Sequence, residues 1–162
     1  MKGSTRETIL YMVIGVALAW GINQGLAAAL TTDMPVVAVE SNSMVPVFFK
    51  GDILVLNGIK AADYNIGDII VYSVAGRPVP IVHRVIKINP DGSFQTKGDA
   101  NSGQLDFEQY VDPKNVHGRI VAIIPYLGWV KIGIMQYLLP NVILLVIAIL
   151  AVVFIYYGRR LV

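Results

Sequence analysis

Two stretches without a charge, one near each end of a 162-residue chain, constrain it more than any other feature. From Ile9 to Leu30 the sequence reads ILYMVIGVALAWGINQGLAAAL. As a helix rising 1.5 Å per residue this run reaches roughly 33 Å, enough to cross a hydrocarbon core about 30 Å thick. Lys2 and Arg6 precede it and alanines close it, a layout shared with cleaved signal peptides. The apolar part of a signal peptide is usually only about 7–15 residues, so the run reads as a retained signal-anchor. The second run, VILLVIAILAVVFIYY over 142–157, meets Gly158-Arg159-Arg160. Alone it reaches roughly 24 Å, and a start at Tyr137 extends it to a full span. Pro140 then falls in the first turn, where a missing N–H costs little.

Flanking charge suggests how these spans sit. Lys2 and Arg6 border the first and Arg159 and Arg160 the second, so the positive-inside rule places both termini in the cytoplasm of a cell-membrane protein. The expected organisation is a cytoplasmic segment 1–8, a signal-anchor helix 9–30, an extracytoplasmic domain 31–136, a C-terminal transmembrane helix 137–157 and a cytoplasmic tail 158–162. Composition agrees: 15% of residues are charged, against about a quarter in soluble domains. The 13 basic and 11 acidic residues nearly cancel, which argues against a nucleic-acid partner. The chain has no cysteine, so it holds no disulfide, thiolate metal site or cysteine nucleophile.

The middle segment carries strand punctuation. VVAVE (36–40), DILVL (52–56), DIIVYS (68–73), VPIVHRVIKI (79–88), SFQTKG (93–98) and RIVAII (119–124) are short runs, most of them rich in Val and Ile. Gly-, Asn- and Pro-containing turns separate them, and IKINPDGSFQTKG reads as a hairpin around Pro90-Asp91-Gly92. The expected fold is therefore mainly β, an antiparallel sheet or partly open barrel flanked by two transmembrane helices. Residues 124–139 mix Tyr126, Trp129 and Tyr137 with aliphatics. They fit either a membrane-interfacial segment or a last strand running into the second span.

Few residues can carry chemistry. There is no HExxH pair, EF-hand loop or phosphate-cradling glycine motif, so neither a metal nor a nucleotide cofactor is expected. Ser41-Asn42-Ser43-Met44-Val45-Pro46 follows the strand VVAVE, His83-Arg84 lies in a strand, and Lys97-Gly98-Asp99 through Asp106 follows another. A serine hydroxyl needs a base, and the base an orienting group. These segments supply all three if the sheet brings them together. Spacing alone does not set them apart from structural serines, histidines and turn aspartates. His117 reads as an exposed residue at a strand start, Asp112-Pro113 as a turn, and Lys87 as too far along the strand to replace His83 as base.

Taken together the segments are more specific. Ser41-x-Ser43-Met44-x-Pro46 after a membrane anchor resembles the nucleophile box of type I signal peptidases. Gly67-Asp68-Ile69-Ile70-Val71-Tyr72 is similar to the next box, and His83-Arg84-Val85 to the base box of the archaeal and endoplasmic-reticulum branch. Lys97-Gly98-Asp99-x-Asn101 with Asp106 resembles the acidic box, and Gly118-Arg119 with Pro125-Tyr126-Leu127-Gly128-Trp129 the late stretch. The resemblance implies Ser43 as nucleophile, His83 as general base, and Ser41 with the Ser43 backbone N–H as oxyanion-hole donors. Asp106 is then the expected triad acid with Asp99 in support, although Asp106 stands one residue further from Asp99 than the family spacing.

That resemblance implies a membrane-bound serine endopeptidase that removes signal peptides from exported preproteins after small residues, through an acyl-enzyme and without a cofactor. Its partners would be signal peptides, the lipid bilayer and the export translocon. Ser43 lies about thirteen residues beyond Leu30, which independently suits a site near the outer leaflet. Two other readings stand beside it. One is a noncatalytic membrane-anchored β domain acting as an accessory subunit, and the other a related serine protease dedicated to a few precursors.

Overall fold

The computed structural model describes residues 5–138 and 140–158. Lys2, Arg159 and Arg160, on which the topological reading leans, lie outside the described residues. Helix α1 runs Thr5–Ala29 with no buried residue. At 1.5 Å per residue its length is roughly 37 Å, and from Ile9 onward its uncharged, largely apolar surface has no protein core to enter. It is the one helix among the described residues long and apolar enough to cross a membrane.

Six strands follow: β1 (Val36–Ala38), β2 (Ile53–Asn57), β3 (Ile69–Tyr72), β4 (Ile81–Ile88), β5 (Phe94–Lys97) and β6 (Val116–Ile124). All pair antiparallel in the order β1-β2-β6-β3-β4-β5. The mainly β reading holds, as an open sheet with β1 and β5 at its edges. The hairpin is β4–β5, where Arg84 pairs with Lys97 and Ile88 with Phe94. Its turn closes through Gly92 N–H to Asn89 O at 2.9 Å, with Gly92 at φ +83°. A residue with a Cβ is disfavoured at that φ.

The sheet buries both faces. Along β3, Ile70 and Tyr72 enter one cluster with Tyr64, Val85, Phe94 and Val111, while Val71 enters another with Val39, Met44, Phe48, Leu54 and Leu56. This is the two-residue period of a strand read on both sides. Each fully buried apolar side chain contributes roughly 1.5–3 kcal/mol. Tyr72 keeps its hydroxyl satisfied by Thr96 Oγ1 at 2.8 Å, and burial pushes its pKa up to about 12.

Beyond β6 the chain is helical rather than extended. After a turn at Pro125–Gly128, with Tyr126 at φ +64°, come α2 (Trp129–Ile132) and a π-helical stretch Gly133–Leu138. Trp129 covers Gly51, where a Cβ would lie 2.0 Å from the indole nitrogen. Helix α3 occupies Val142–Gly158. Its 17 residues give roughly 25 Å, short of a full span. Pro140 and Asn141 fall between the helices, so the described part of 137–157 is not one continuous helix.

Candidate active site

Three pieces of chain meet at one end of β4. The first is the loop after β1. Ser43 begins a tight run in which Val47 N–H donates to Met44 O at 2.9 Å. The Asn42 side chain accepts from Lys50 N–H at 2.8 Å, and buried Asp52 accepts from Phe49 N–H at 2.8 Å. Met44, 0% exposed, anchors the loop in the core. Ser43 is thus presented from a rigid turn. Its own N–H donates to no acceptor among the described residues.

The second piece is β4. His83 pairs with Ile70 of β3 and is buried on the face that also takes Val85. Its Nε2 lies 3.0 Å from Ser43 Oγ. The third piece is the loop after β5. Gly98 passes so close that a Cβ there would stand 2.8 Å from both His83 Nε2 and Ser43 O. That accounts for glycine in Lys97-Gly98-Asp99. Ala100 N–H then donates to Ser43 O at 2.8 Å, tying this loop to the serine.

The expectation about the acid needs correction. The carboxylate against His83 Nδ1 is Glu108, through Oε1, and neither Asp99 nor Asp106. Glu108 is 0% exposed, and its second oxygen accepts from Leu105 N–H at 2.6 Å. Asp106 opens the same short 3-10 turn, Asp106–Glu108, with its side chain exposed. Two residues further along that turn Glu108 faces inward, and its carboxylate meets the imidazole. Gln104 holds the loop in place by donating to Thr96 O at 2.9 Å. Asp99 is engaged elsewhere, accepting from Arg84 Nε at 2.9 Å and Nη2 at 2.6 Å. Those bonds hold its carboxyl below the usual carboxylate range. The buried side chain Glu108 carries no motif of its own. The signal that could have found it is its spacing, since Asp106-Phe107-Glu108 puts two acids in one short turn.

Burial drives the His83 pKa down, against the raising effect of the Glu108 charge and hydrogen bond. Ser41 Oγ stands 3.3 Å from Ser43 Oγ. Beside them opens a cleft of about 330 Å³, lined by Val37, Val39, Phe48, Pro80 and Val82. No group of three or more acidic or histidine side chains that could hold a metal occurs among the described residues.

An alcohol, an imidazole and a buried carboxylate in line, facing an apolar cleft behind an N-terminal apolar helix, are the parts of a membrane-associated serine hydrolase. Comparison with known proteins makes this specific. The chain is 35% identical over 150 residues to the human signal peptidase complex catalytic subunit SEC11C, covering 85% of this chain and 78% of the relative. It is 35% identical over 123 residues to the SEC11 subunit of Chaetomium globosum, covering 70% and 72%. Against SEC11 of Pyricularia oryzae it is 33% identical over 138 residues, covering 80% of each. No protein-family model matches the chain. The chain belongs to the family of signal peptidase complex catalytic subunits, and it is a protease.

Proposed function

We propose that this protein removes signal peptides from exported preproteins with Ser43 as nucleophile, His83 as general base and Glu108 as the group that orients it. The 3.0 Å contact from Ser43 Oγ to His83 Nε2, with Glu108 buried behind Nδ1, carries the reading. His83 accepts the Ser43 proton as Oγ attacks the scissile carbonyl, then returns it to the leaving amine. Glu108 fixes the tautomer with Nδ1 protonated and stabilises the imidazolium that forms. The Ser43 N–H and Ser41 hydroxyl donate to the oxyanion. Water then attacks the acyl-enzyme by the same path in reverse.

The substrate lies extended in the cleft, along the β1 edge that no strand covers among the described residues. Val39, Phe48 and Val82 leave room for small side chains before the cut and exclude large ones by clash. Helix α1 holds the site at the membrane. The complete topology we infer has both termini in the cytoplasm, a second span over 137–157, and the sheet on the extracytoplasmic face beside the export translocon. Partner subunits are part of this reading, since the relatives are named as catalytic subunits of a complex.

The test is cleavage of a model preprotein by purified protein in lipid. Wild type cuts after a small residue, and Ser43→Ala and His83→Ala are silent. Equal cutting by the variants would sink the catalytic reading. Because the chain has no cysteine, single cysteines introduced at either end report the topology through a membrane-impermeant thiol reagent.

A further inference from the structure

The linker between α1 and the sheet is fastened at every step. Helix α1 closes with Leu30 N–H to Leu26 O at 2.8 Å and Thr32 N–H to Ala27 O at 3.1 Å, with Thr31 at φ +49°. Gly58 N–H donates to Leu30 O at 2.8 Å, and Thr31 Oγ1 returns a bond to Gly58 O at 2.6 Å. A Cβ on Gly58 would stand 2.0 Å from Thr31 O, so only glycine allows this approach. Thr32, buried, donates through Oγ1 to His117 O at 2.6 Å and accepts from Met34 N–H at 3.1 Å. Asp33 then grips the His117 ring, its two oxygens 2.9 and 3.1 Å from Nδ1. The other ring nitrogen, Nε2, lies 2.7 Å from Ser73 Oγ at the end of β3. His117 therefore joins the linker to β6 and β3 at once.

The chain leads straight from this clasp to the active site. Pro35 O accepts from Leu56 N–H at 3.0 Å, and β1 pairs with β2 over Val36, Val37 and Ala38. The nucleophile loop follows. Helix α1 is therefore coupled through bonded backbone as far as Val39, whose N–H donates to Asp52 O at 2.9 Å, four residues before Ser43.

We propose that His117, clasped between Asp33 and Ser73, is a positioning residue that fixes the height of the Ser43–His83 pair above the membrane. It thereby selects which bond of a membrane-inserted preprotein is cut. The inference rests on the signal-peptide reading. Removing the clasp leaves the chemistry intact and loosens the register of the cut.

The experiment uses the full chain in liposomes. Its substrates are model preproteins whose apolar segment is lengthened one leucine at a time, each carrying two adjacent small-residue bonds. Mass spectrometry of the products gives the ratio of the two cuts, and a short soluble peptide bearing one bond measures the chemistry alone. For His117→Ala and Asp33→Ala the preference between the bonds should fall about fivefold, the population change that the loss of one ordinary hydrogen bond allows. Soluble-peptide cleavage should stay near wild type. Asp33 is exposed, so its variant reports the clasp without disturbing a core. An unchanged cut ratio in both variants, or a parallel loss on both kinds of substrate, overturns the proposal. A wild type that cuts no preprotein overturns the functional reading and this inference with it, whereas an active wild type with unaltered register overturns the inference alone.

Discussion

The molecule holds two serine–histidine–carboxylate lines. In one, Ser43 Oγ meets His83 Nε2 at 3.0 Å and Glu108 backs Nδ1. In the other, Ser73 Oγ meets His117 Nε2 at 2.7 Å and Asp33 backs Nδ1 at 2.9 Å. Connectivity alone cannot separate them, and the Ser73 contact is the shorter. What differs is the setting. Glu108 is 0% exposed and His83 5%, whereas the Asp33 side chain is 70% exposed. Exposed charges are screened, so the Asp33–His117 contact contributes little beyond its hydrogen bonds. Ser43 lines a cleft, and its N–H donates to no acceptor among the described residues. The Ser73 N–H is already given to Asn115 O at 2.9 Å. A relay becomes catalytic when burial strengthens it and a donor waits where charge develops.

The largest expected effect tests that distinction directly. Ser43→Ala should reduce kcat by a factor on the order of 10⁶, as loss of a triad nucleophile does elsewhere. Ser73→Ala should stay within about twofold on a soluble peptide, since surface hydroxyls contribute little. A fluorophosphonate probe should label Ser43 and leave Ser73 unmodified in the same sample. Labelling at Ser73 in the Ser43→Ala protein would erase the comparison.

The acid comes next. Glu108→Gln keeps the shape but offers the wrong hydrogen-bonding group, so a loss of roughly 10⁴-fold in kcat is expected, the size seen for an orienting carboxylate replaced by its amide. Asp106→Asn should cost less than about twofold, because its side chain faces water. If Asp106→Asn proves the more damaging, the assignment reverts to the acid expected from the family spacing. Ser41→Ala should slow kcat by about 10²–10³-fold with little change in KM, as loss of one oxyanion donor does. An unaltered rate would remove Ser41 from that role.

These contrasts also show what the sequence could and could not convey. The strands were legible because Val- and Ile-rich runs alternate with turns that demand Gly, Asn or Pro. The expected strands 52–56, 68–73 and 79–88 correspond to β2, β3 and β4. The start of β6 was not, because Val116-His117-Gly118-Arg119 carries no apolar alternation and is held by pairing to β3. The same polar run made His117 read as exposed, while its side chain is only 17% exposed, with a partner on each ring nitrogen. Ser43 and His83 stood out through the residues around them. Glu108 did not, because its placement depends on the Gln104–Thr96 bond and one 3-10 turn, both features of a folded loop. The linker clasp was invisible for a similar reason: Asp33, Ser73 and His117 are joined only by the sheet.

The smallest expected effect is a shift in pH dependence. His83 must be neutral to accept the Ser43 proton, so kcat/KM falls as acid protonates it in the free enzyme. Burial disfavours the imidazolium and Glu108 only partly offsets this, so the acid limb should lie below the ordinary histidine value near 6.5. Activity is then retained to lower pH than an exposed histidine would permit. In Glu108→Gln the raising charge is gone while the burial remains, so the limb of the residual activity should move further down. Asp99→Asn should move it in the same direction by less, since Asp99 is the weaker raising charge on His83 and its oxygens are taken by Arg84. Soluble-peptide kinetics from pH 4 to 8 check both. A wild-type limb above 6.5 would mean that the Glu108 charge outweighs burial, and a limb that rises in Glu108→Gln would mean that Glu108 is not the charge that His83 feels.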